Sequence, residues 1–279
     1  MKIRLFLLLL SVALPLSATA GQSSLMLGLG AGSAAEYQGS DDSETTALPY
    51  INWEWQRDPD IGCGGGFGLH RAFAGVDGVG AAFWCADKAA FTVSAGYDAG
   101  RDSGDSDYLD GLPDVDGGVS AGLGFAYGDD DGFTFSIEAA SVDSDLVATA
   151  EVGYPLLGFL DASVGVNYAD KGRMQKYFGV IGNDSMNTAG AAMGECAVVA
   201  TGNANYRGMD YCSDLGGGIY SWTVSLETFI PLPFQDGESW AVNIGIDHTT
   251  LIGDAADSPL VRDKSDTAFS IAVIWMHQF

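Results

Sequence analysis

The sequence is poor in positive charge. Lys and Arg together number 12 while Asp and Glu number 37, which gives a formal net charge of −25 at pH 7 over 279 residues. So few cations cannot neutralise a row of phosphates, and nucleic acid is therefore excluded as a partner. The same imbalance opposes simple adhesion to anionic lipid head groups.

Long apolar runs are absent beyond the N-terminus. The opening MKIRLFLLLLSVALPLSATAG has basic residues at Lys2 and Arg4, an apolar core, and small residues ending at Ala20, which is typical of a secretory signal peptide. We expect residues 1–20 to be cleaved and residues 21–279 to form the mature protein. No later run reaches the roughly 18 apolar residues that a membrane-spanning helix needs, so no helical span is predicted.

Signatures of catalysis are scarce. The three histidines are His70, His248 and His277. Asp247 precedes His248 on a predicted strand, where neighbouring side chains face opposite sides and cannot form a dyad. The sequence GVSAG at residues 118–122 matches the G-x-S-x-G pattern, but it lies inside the predicted strand 117–127 and not at the strand-to-helix turn that exposes such a nucleophile. We expect no enzymatic activity.

Signatures of bound cofactors and metals are also scarce. GDSDYLDGLPDVDG lacks the residue order of an EF-hand, and GCGGGFG opens no helix that could hold a phosphate. We expect no cofactor and no dedicated metal site. The clustered carboxylates of the loops either form a solvated acidic rim or hold divalent cations loosely.

A two-residue period of apolar side chains runs through most of the chain, as in FTFSIEAAS and WAVNIGID. One face of the predicted strands carries large apolar side chains, whereas the other face carries Gly, Ser, Thr, Asn and single acids. This pattern suits a β-barrel whose apolar outer face contacts lipid and whose lumen is lined by small, weakly polar side chains. We predict an all-β, transmembrane, antiparallel up-and-down β-barrel of about 12 strands. The predicted strands are 24–34, 47–56, 61–70, 79–86, 90–100, 117–127, 133–142, 146–156, 159–178, 217–231, 240–252 and 267–279.

The connections alternate between short and long, which predicts their side of the membrane. Short periplasmic turns and long outer loops are typical of outer-membrane barrels, and an even strand count returns both termini to the periplasm. By alternation Glu138, Glu151 and Asp247 face the lumen. With few cations to pair with these acids, a hydrated lumen is favoured over a dry one.

The last strand, DTAFSIAVIWMHQF, ends in an aromatic residue, Phe279. Counting back by twos places His277, Trp275 and Val273 on the lipid face. A terminal aromatic on such a strand resembles the assembly signal of bacterial outer-membrane proteins. The predicted partners therefore include outer-membrane lipid, lipopolysaccharide and the outer-membrane assembly machinery.

Several segments resemble the MltA-interacting protein (MipA/OmpV) family: GLGAGSAAEYQGSDDS, AGYDAGRDSGDSDYLDGLPDVDGG, KYFGV and LIGDAADSPLV. The resemblance implies a barrel in the outer membrane of a Gram-negative bacterium. It also implies a non-enzymatic scaffold for peptidoglycan (murein) enzymes, because the namesake is described as linking a murein hydrolase to a murein synthase. The chain departs from the family in its four cysteines and a long outer-loop insert at about 181–216. The alternatives are a narrow channel for small cationic or neutral solutes and a surface adhesin.

The most specific family motif, GDAADSP, is predicted to be the outer loop between the last two strands. Gly253 would permit the turn, and Pro259 would stiffen the return of the chain. Asp254 and Asp257 would accept hydrogen bonds from backbone N–H groups of the loop itself.

The four cysteines allow three pairings in the oxidising periplasm. Cys63 begins the third predicted strand and Cys85 ends the fourth, so both lie near the periplasmic end of one hairpin. Cys196 and Cys212 both lie in the long insert. We predict the disulfides Cys63–Cys85 and Cys196–Cys212.

One periplasmic turn carries three consecutive acids, Asp129, Asp130 and Asp131. They either keep the periplasmic rim solvated or attract a partner with a basic patch.

Overall fold

The computed structural model describes residues 23–58, 63–69, 76–86, 88–128, 132–182, 196–199, 204–212, 215–233 and 239–279. No helix within these ranges is long and apolar enough to cross a membrane.

Twelve antiparallel strands form a barrel, and the sequence prediction of this fold is confirmed. Each barrel strand pairs with the next barrel strand along the chain, and the first pairs with the last, which closes the barrel. The barrel strands are β1 Ser23–Ala35, β2 Ser43–Asp58, β3 Cys63–Leu69, β4 Val76–Ala86, β5 Ala89–Asp98, β6 Gly118–Gly128, β7 Thr134–Val142, β8 Asp145–Leu156, β9 Leu160–Ala169, β13 Gly218–Leu232, β14 Ser239–Leu251 and β15 Ser265–Gln278.

Further elements lie in the connections. A small separate sheet contains β10 Val180–Gly182, β11 Ala197–Val199 and β12 Asp210–Tyr211, with β10 in the centre. Two short helices are α1 Lys171–Phe178 and α2 Gly253–Ala256. One-turn 3₁₀ segments occupy Ser103–Asp105, Asp107–Leu109 and Ala204–Tyr206.

The outward face of the barrel is apolar, as the two-residue period predicts. On β15, Phe269, Ile271 and Val273 are exposed, whereas the intervening Ala272 and Ile274 are buried toward the interior. At the end of the same strand the ring of His277 stacks on Trp275, with centroids 5.5 Å apart. Exposed apolar side chains on one face of every strand are what a lipid environment requires.

The lumen is lined by acids that are bonded to hydroxyl or amide groups. Ser94 Oγ donates to Glu138 Oε1 at 2.6 Å, and Ser225 Oγ donates to Asp247. Asn243 Nδ2 donates to Glu227 Oε1 at 2.7 Å. The alternation thus places Glu138 and Asp247 inside, as predicted, and Glu151 lies on the same face because its neighbour Val152 is exposed outward.

The outer face holds His248, which contacts Thr267 Oγ1 through Nδ1 at 2.9 Å and lies 6.0 Å from the Trp222 ring. Its neighbour Asp247 points to the lumen. The two side chains lie on opposite sides of the barrel wall, as predicted.

The ninth strand is shorter than predicted. It was expected to run to residue 178, but it ends at Ala169 and is followed by α1. Asp170 is the N-cap, where its Oδ1 accepts the Arg173 N–H at 3.0 Å. The segment KGRMQK consists mainly of good helix formers and lacks β-branched residues, so helix is locally favoured once the cap is in place.

Candidate functional site

Four connections at the long-loop end of the barrel pack together: residues 36–42, 99–117, 170–217 and 252–264. We call their described parts the outer cap. One shared hydrophobic cluster contains Tyr37, Leu109, Leu112, Val180, Ala197, Val199, Tyr206 and Leu260. A second contains Ala169, Met174, Phe178, Leu215, Leu251, Ala255 and Ala256. Because each cluster draws on several connections, the outer cap is a folded unit with its own core.

The helix α1 lies across the mouth of the barrel and is tied to three strands. Arg173 Nη2 lies 2.6 Å from Asp98 Oδ2 at the end of β5, and Lys176 Nζ lies 2.7 Å from Asp145 Oδ2 at the start of β8. Phe178 packs on Tyr220 of β13, with ring centroids 5.9 Å apart. Two of the chain's few cations therefore hold α1 against acids of the barrel rim.

The family motif forms the connection between β14 and β15, as predicted, and it is a hub of the outer cap. Its backbone carbonyls accept three tyrosine hydroxyls: Tyr37 donates to Leu260 O at 3.0 Å, Tyr108 to Pro259 O at 3.2 Å and Tyr211 to Asp254 O at 2.6 Å. These bonds join the motif to three other connections.

The motif acids have partners other than those predicted. Asp254 Oδ2 accepts a backbone N–H at 3.3 Å, but the donor is Gly216 in a different connection. Asp257 Oδ1 pairs with Lys264 Nζ at 3.1 Å. Gly253 has a φ of +58°, a conformation in which glycine is favoured, so its predicted role in the turn agrees with the structure.

Sequence reasoning missed Ser258, which is buried beside Pro259. Its hydroxyl donates to Phe178 O at 2.6 Å and accepts the Leu260 N–H at 3.1 Å. It thereby satisfies a carbonyl at the C-terminal end of α1. The Ser-Pro pair in a short loop was the sequence signal available for Ser258, but its hydrogen-bond partner, Phe178, lies 80 residues away in the sequence.

Arg101 is buried inside the outer cap, where it is 7% exposed. Nη1 donates to Tyr177 O at 2.9 Å, whereas Nε and Nη2 have no hydrogen-bond partner among the described residues. Burial lowers the pKa of this guanidinium.

Three tyrosines interact electrostatically with the Arg101 guanidinium. Burial raises the pKa of Tyr177 to about 12 and also raises the pKa of Tyr37 and Tyr206. These phenols are neutral at physiological pH and supply no compensating negative charge.

An acidic cavity of about 560 Å³ opens on the outer cap. Its lining residues are Glu36, Asp41, Asp42, Gly104, Asp105, Ser106, Asp107, Tyr108, Asn205 and Arg262. Arg262 stacks on the Tyr108 ring at 4.6 Å and approaches Asp41 at 3.6 Å. Within the described ranges, no group of His, Cys, Asp or Glu residues has an arrangement that could hold a metal ion.

A family model described as "MltA-interacting protein MipA" matches residues 27–279, which is nearly the whole chain. The chain belongs to this family. No curated protein matches the chain.

Three solved structures similar to this MipA-family chain are distant from it in sequence. A Pseudomonas aeruginosa FadL homologue is 8% identical with a TM-score of 0.37, over 93% of this chain and 90% of that one. The CymD monoaromatic hydrocarbon channel is 11% identical with a TM-score of 0.40, over 94% and 89%. The NanC porin is 8% identical with a TM-score of 0.35, over 88% and 98%. Likeness at this level carries no substrate or activity to this protein.

The disulfide Cys196–Cys212 is present, as predicted. Both residues are buried and pack with Ile181 of β10. Gln175 Nε2 of α1 donates to Cys212 O at 3.1 Å, so this hydrogen bond links the disulfide-bonded segment to α1. Cys85 is also disulfide-bonded, but the side chain of Cys63 lies outside the described residues, and Cys63–Cys85 stays a prediction.

We expect the double substitution Cys196→Ser, Cys212→Ser to loosen the outer cap without unfolding the barrel. The disulfide spans a sequence separation of 16. A loop of this size contributes roughly 3 kcal/mol by the chain-entropy model. Limited proteolysis of purified protein should cleave the cap of the variant many times faster than that of the wild type. Equal cleavage rates, with the barrel intact in both, would show that packing alone holds the cap.

The short-turn end of the barrel carries the remaining predicted site residues. Asp129, Asp130 and Asp131 lie outside the described residues. Phe279 follows β15, and its backbone exchanges hydrogen bonds with Ser23 at 2.9 and 3.0 Å. The terminal aromatic therefore lies at the seam that closes the barrel, and its role as an assembly signal stays a prediction.

Proposed function

We propose that this MipA-family protein is a non-enzymatic outer-membrane barrel that serves as a scaffold for murein-synthesising and murein-hydrolysing enzymes. The outer cap is the observation that carries the proposal. With α1 tied to β5, β8 and β13, the mouth is covered by a folded unit, which suits an anchor better than an open pore. The family's name, which refers to interaction with the murein enzyme MltA, supports the same role.

The docking surface of a scaffold for murein enzymes would be the periplasmic rim, because these enzymes work in the periplasm. The turns there are short: β8 and β9 are joined by residues 157–159 alone. A standard interface buries about 800 Å² per partner, so the partner must contact much of the rim rather than one turn. The acids at 129–131 would then attract a basic patch and accelerate association at low salt.

The test is binding of MltA to the barrel in lipid nanodiscs over a salt series. Replacing Asp129, Asp130 and Asp131 with Asn should slow association several-fold at low salt and have little effect at high salt. The matched control is Asp41→Asn, Asp42→Asn, Asp107→Asn, which removes the same charge from the outer cap and should leave association unchanged. Failure of MltA to bind the wild type at any salt concentration would refute this partner.

A narrow cation-favouring channel is the second candidate, and the lumen supports it. Glu138, Glu227 and Asp247 face the interior, where their described partners are hydroxyl and amide groups rather than cations. Such a lumen would favour cations over anions if solutes could enter. Surface adhesion through the insert remains a third hypothesis.

A further inference from the structure

A groove of about 540 Å³ lies on the outer face of the barrel, at the seam between the first and last strands. Its lining residues belong to β1, β14 and β15: Leu27, Gly28, Leu29, Trp240, Val273 and Trp275. We propose that this groove binds one acyl chain of a phospholipid from the periplasmic leaflet of the outer membrane. The proposal goes beyond the scaffold role and does not depend on it.

The register of the three strands brings the lining side chains together. Across the seam between β1 and β15, Leu27 lies opposite Trp275 and Leu29 lies opposite Val273. On the other side of β15, Trp240 of β14 lies opposite the same Trp275. Directly opposed residues of paired strands share a face, and the exposure of Leu27, Leu29 and Val273 shows that this face is the outer one. The groove is therefore part of the surface that contacts lipid.

The two tryptophans define the depth of the groove in the membrane. Trp240 is near the start of β14 and Trp275 is near the end of β15, so both lie at the short-turn end of the barrel. That end is the periplasmic one in the orientation predicted from the lengths of the connections. Tryptophan is enriched at the border between head groups and hydrocarbon. The groove thus begins at the periplasmic head groups and extends toward Leu29 into the hydrocarbon of that leaflet.

The lining of the groove suits a hydrocarbon chain and disfavours a polar occupant. Apart from Gly28, every lining residue is aliphatic or aromatic. A head group or a peptide backbone placed there would leave hydrogen-bonding groups unsatisfied within the membrane, which is costly. An acyl chain has no such groups. Because its gain inside a membrane comes from van der Waals contact, a concave wall holds it better than a flat one.

A second copy of the chain is the competing occupant of the groove. The walls of the groove include the broad, rigid rings of Trp240 and Trp275. The wall of another barrel is convex and would meet these rings before it reached the floor between them. A flexible acyl chain can follow the floor and contact both walls. The shape of the site therefore favours a lipid chain.

Native mass spectrometry of the detergent-solubilised barrel tests the proposal, with palmitoyl-oleoyl phosphatidylethanolamine as the probe. The wild type should keep one phospholipid after washing with detergent has removed the others. The same lipid with a photoreactive group on its acyl chain should crosslink to β1, β14 or β15. Retention of no phospholipid, or crosslinks confined to the other strands, would overturn the assignment.

Substitutions in the groove should displace the lipid chain. Val273→Trp fills the groove and should weaken phospholipid retention several-fold. Val93→Trp on β5 is the matched control and should leave retention unchanged, because Val93 also faces outward and is 43% exposed against 44% for Val273. Trp240→Ala removes a wall of the groove and provides a second test if Val273→Trp does not fold. It should also weaken retention, whereas Trp84→Ala at the short-turn end of β4 should not.

Three results with folded variants, whose folding is checked by heat-dependent mobility on gels, would contradict the proposal. Equal phospholipid retention by the wild type, Val273→Trp and Trp240→Ala would show only the general lipid layer around the barrel. Stronger retention of lipid A than of phosphatidylethanolamine would assign the groove to the outer leaflet. A lipid-free dimer that Val273→Trp dissociates would make the groove an interface between two copies.

Discussion

Replacing residues 170–217 with a two-residue Asn-Gly turn is expected to turn the barrel into a steadily conducting, cation-selective pore. The excision is compatible with the barrel because Ala169 and Gly218 lie directly opposite each other on β9 and β13. An Asn-Gly turn of type I′ joins two such strands without disturbing their pairing. The change removes α1, the small sheet β10–β12 and the Cys196–Cys212 disulfide together.

The expected increase in conductance follows from what residues 170–217 cover in the wild-type protein. Arg173 and Lys176 leave the mouth, which frees Asp98 and Asp145 and exposes the acids deeper in the lumen. A ring of carboxylates in a wet pore favours cations. In planar bilayers we expect the mean conductance of the excised barrel to exceed that of the wild type by at least about tenfold.

One control variant and two alternative outcomes complete this experiment. Glu138→Gln with Asp247→Asn in the excised barrel should lower cation selectivity while leaving the pore open, because both side chains face the lumen. Steady conductance of the wild-type protein, equal to that of the excised protein, would show that the cap does not close the barrel, and the channel would become the better function. A silent excised barrel would place the block deeper, where Ala241 and Ile274 are fully buried.

The barrel could be predicted from the sequence because its physical cause is local. Lipid on one side and a small polar lumen on the other impose a two-residue period on every strand, as β15 shows with Phe269, Ile271 and Val273 outward. Alternating lengths of the connections then set which end faces outward. Neither inference needs knowledge of distant contacts.

The outer cap could not be predicted in the same way, because its residues meet over long sequence separations. Arg101 lies in the stretch GRDSGDSD, where it reads as a solvated cation among acids. Tyr37, Tyr177 and Tyr206, which interact electrostatically with Arg101 in the cap, are on other connections. The helix α1 is short and follows a strand directly, so its eight residues were read as a continuation of β9. The Asp170 cap and the lack of β-branched residues in KGRMQK were the local signs of the change.

The second large effect is expected at the seam that closes the barrel. Gly30 on β1 lies opposite Ala272 on β15. A side chain built on Gly30 would overlap the Ile271 carbonyl oxygen and would come within 2.7 Å of the Ala272 Cβ. Both obstacles are part of the neighbouring strand and cannot swing away as a flexible side chain could.

Gly30→Ala should therefore destabilise the barrel, although alanine is ordinarily the better residue inside a strand. Overpacking of this kind costs about 1–3 kcal/mol. At Gly80 on β4 the same substitution meets only the Val93 carbonyl oxygen at 3.5 Å and the Ser94 Cβ at 3.9 Å, which are ordinary contacts. Gly80→Ala should thus be neutral or stabilising by roughly 0.5–1 kcal/mol, because alanine loses less backbone entropy on folding.

The same Gly→Ala substitution is expected to lower stability at residue 30 and to keep or raise it at residue 80, so the two variants are compared directly. The fraction of folded barrel in outer membranes, read from its heat-dependent mobility on gels, and the urea midpoint of the purified protein should both fall for Gly30→Ala and hold or rise for Gly80→Ala. If both variants behave alike, strand propensity outweighs the close approach of β1 to β15. If only Gly30→Ala fails, the seam between the first and last strands limits barrel closure, because β15 cannot approach β1 unless that position lacks a side chain.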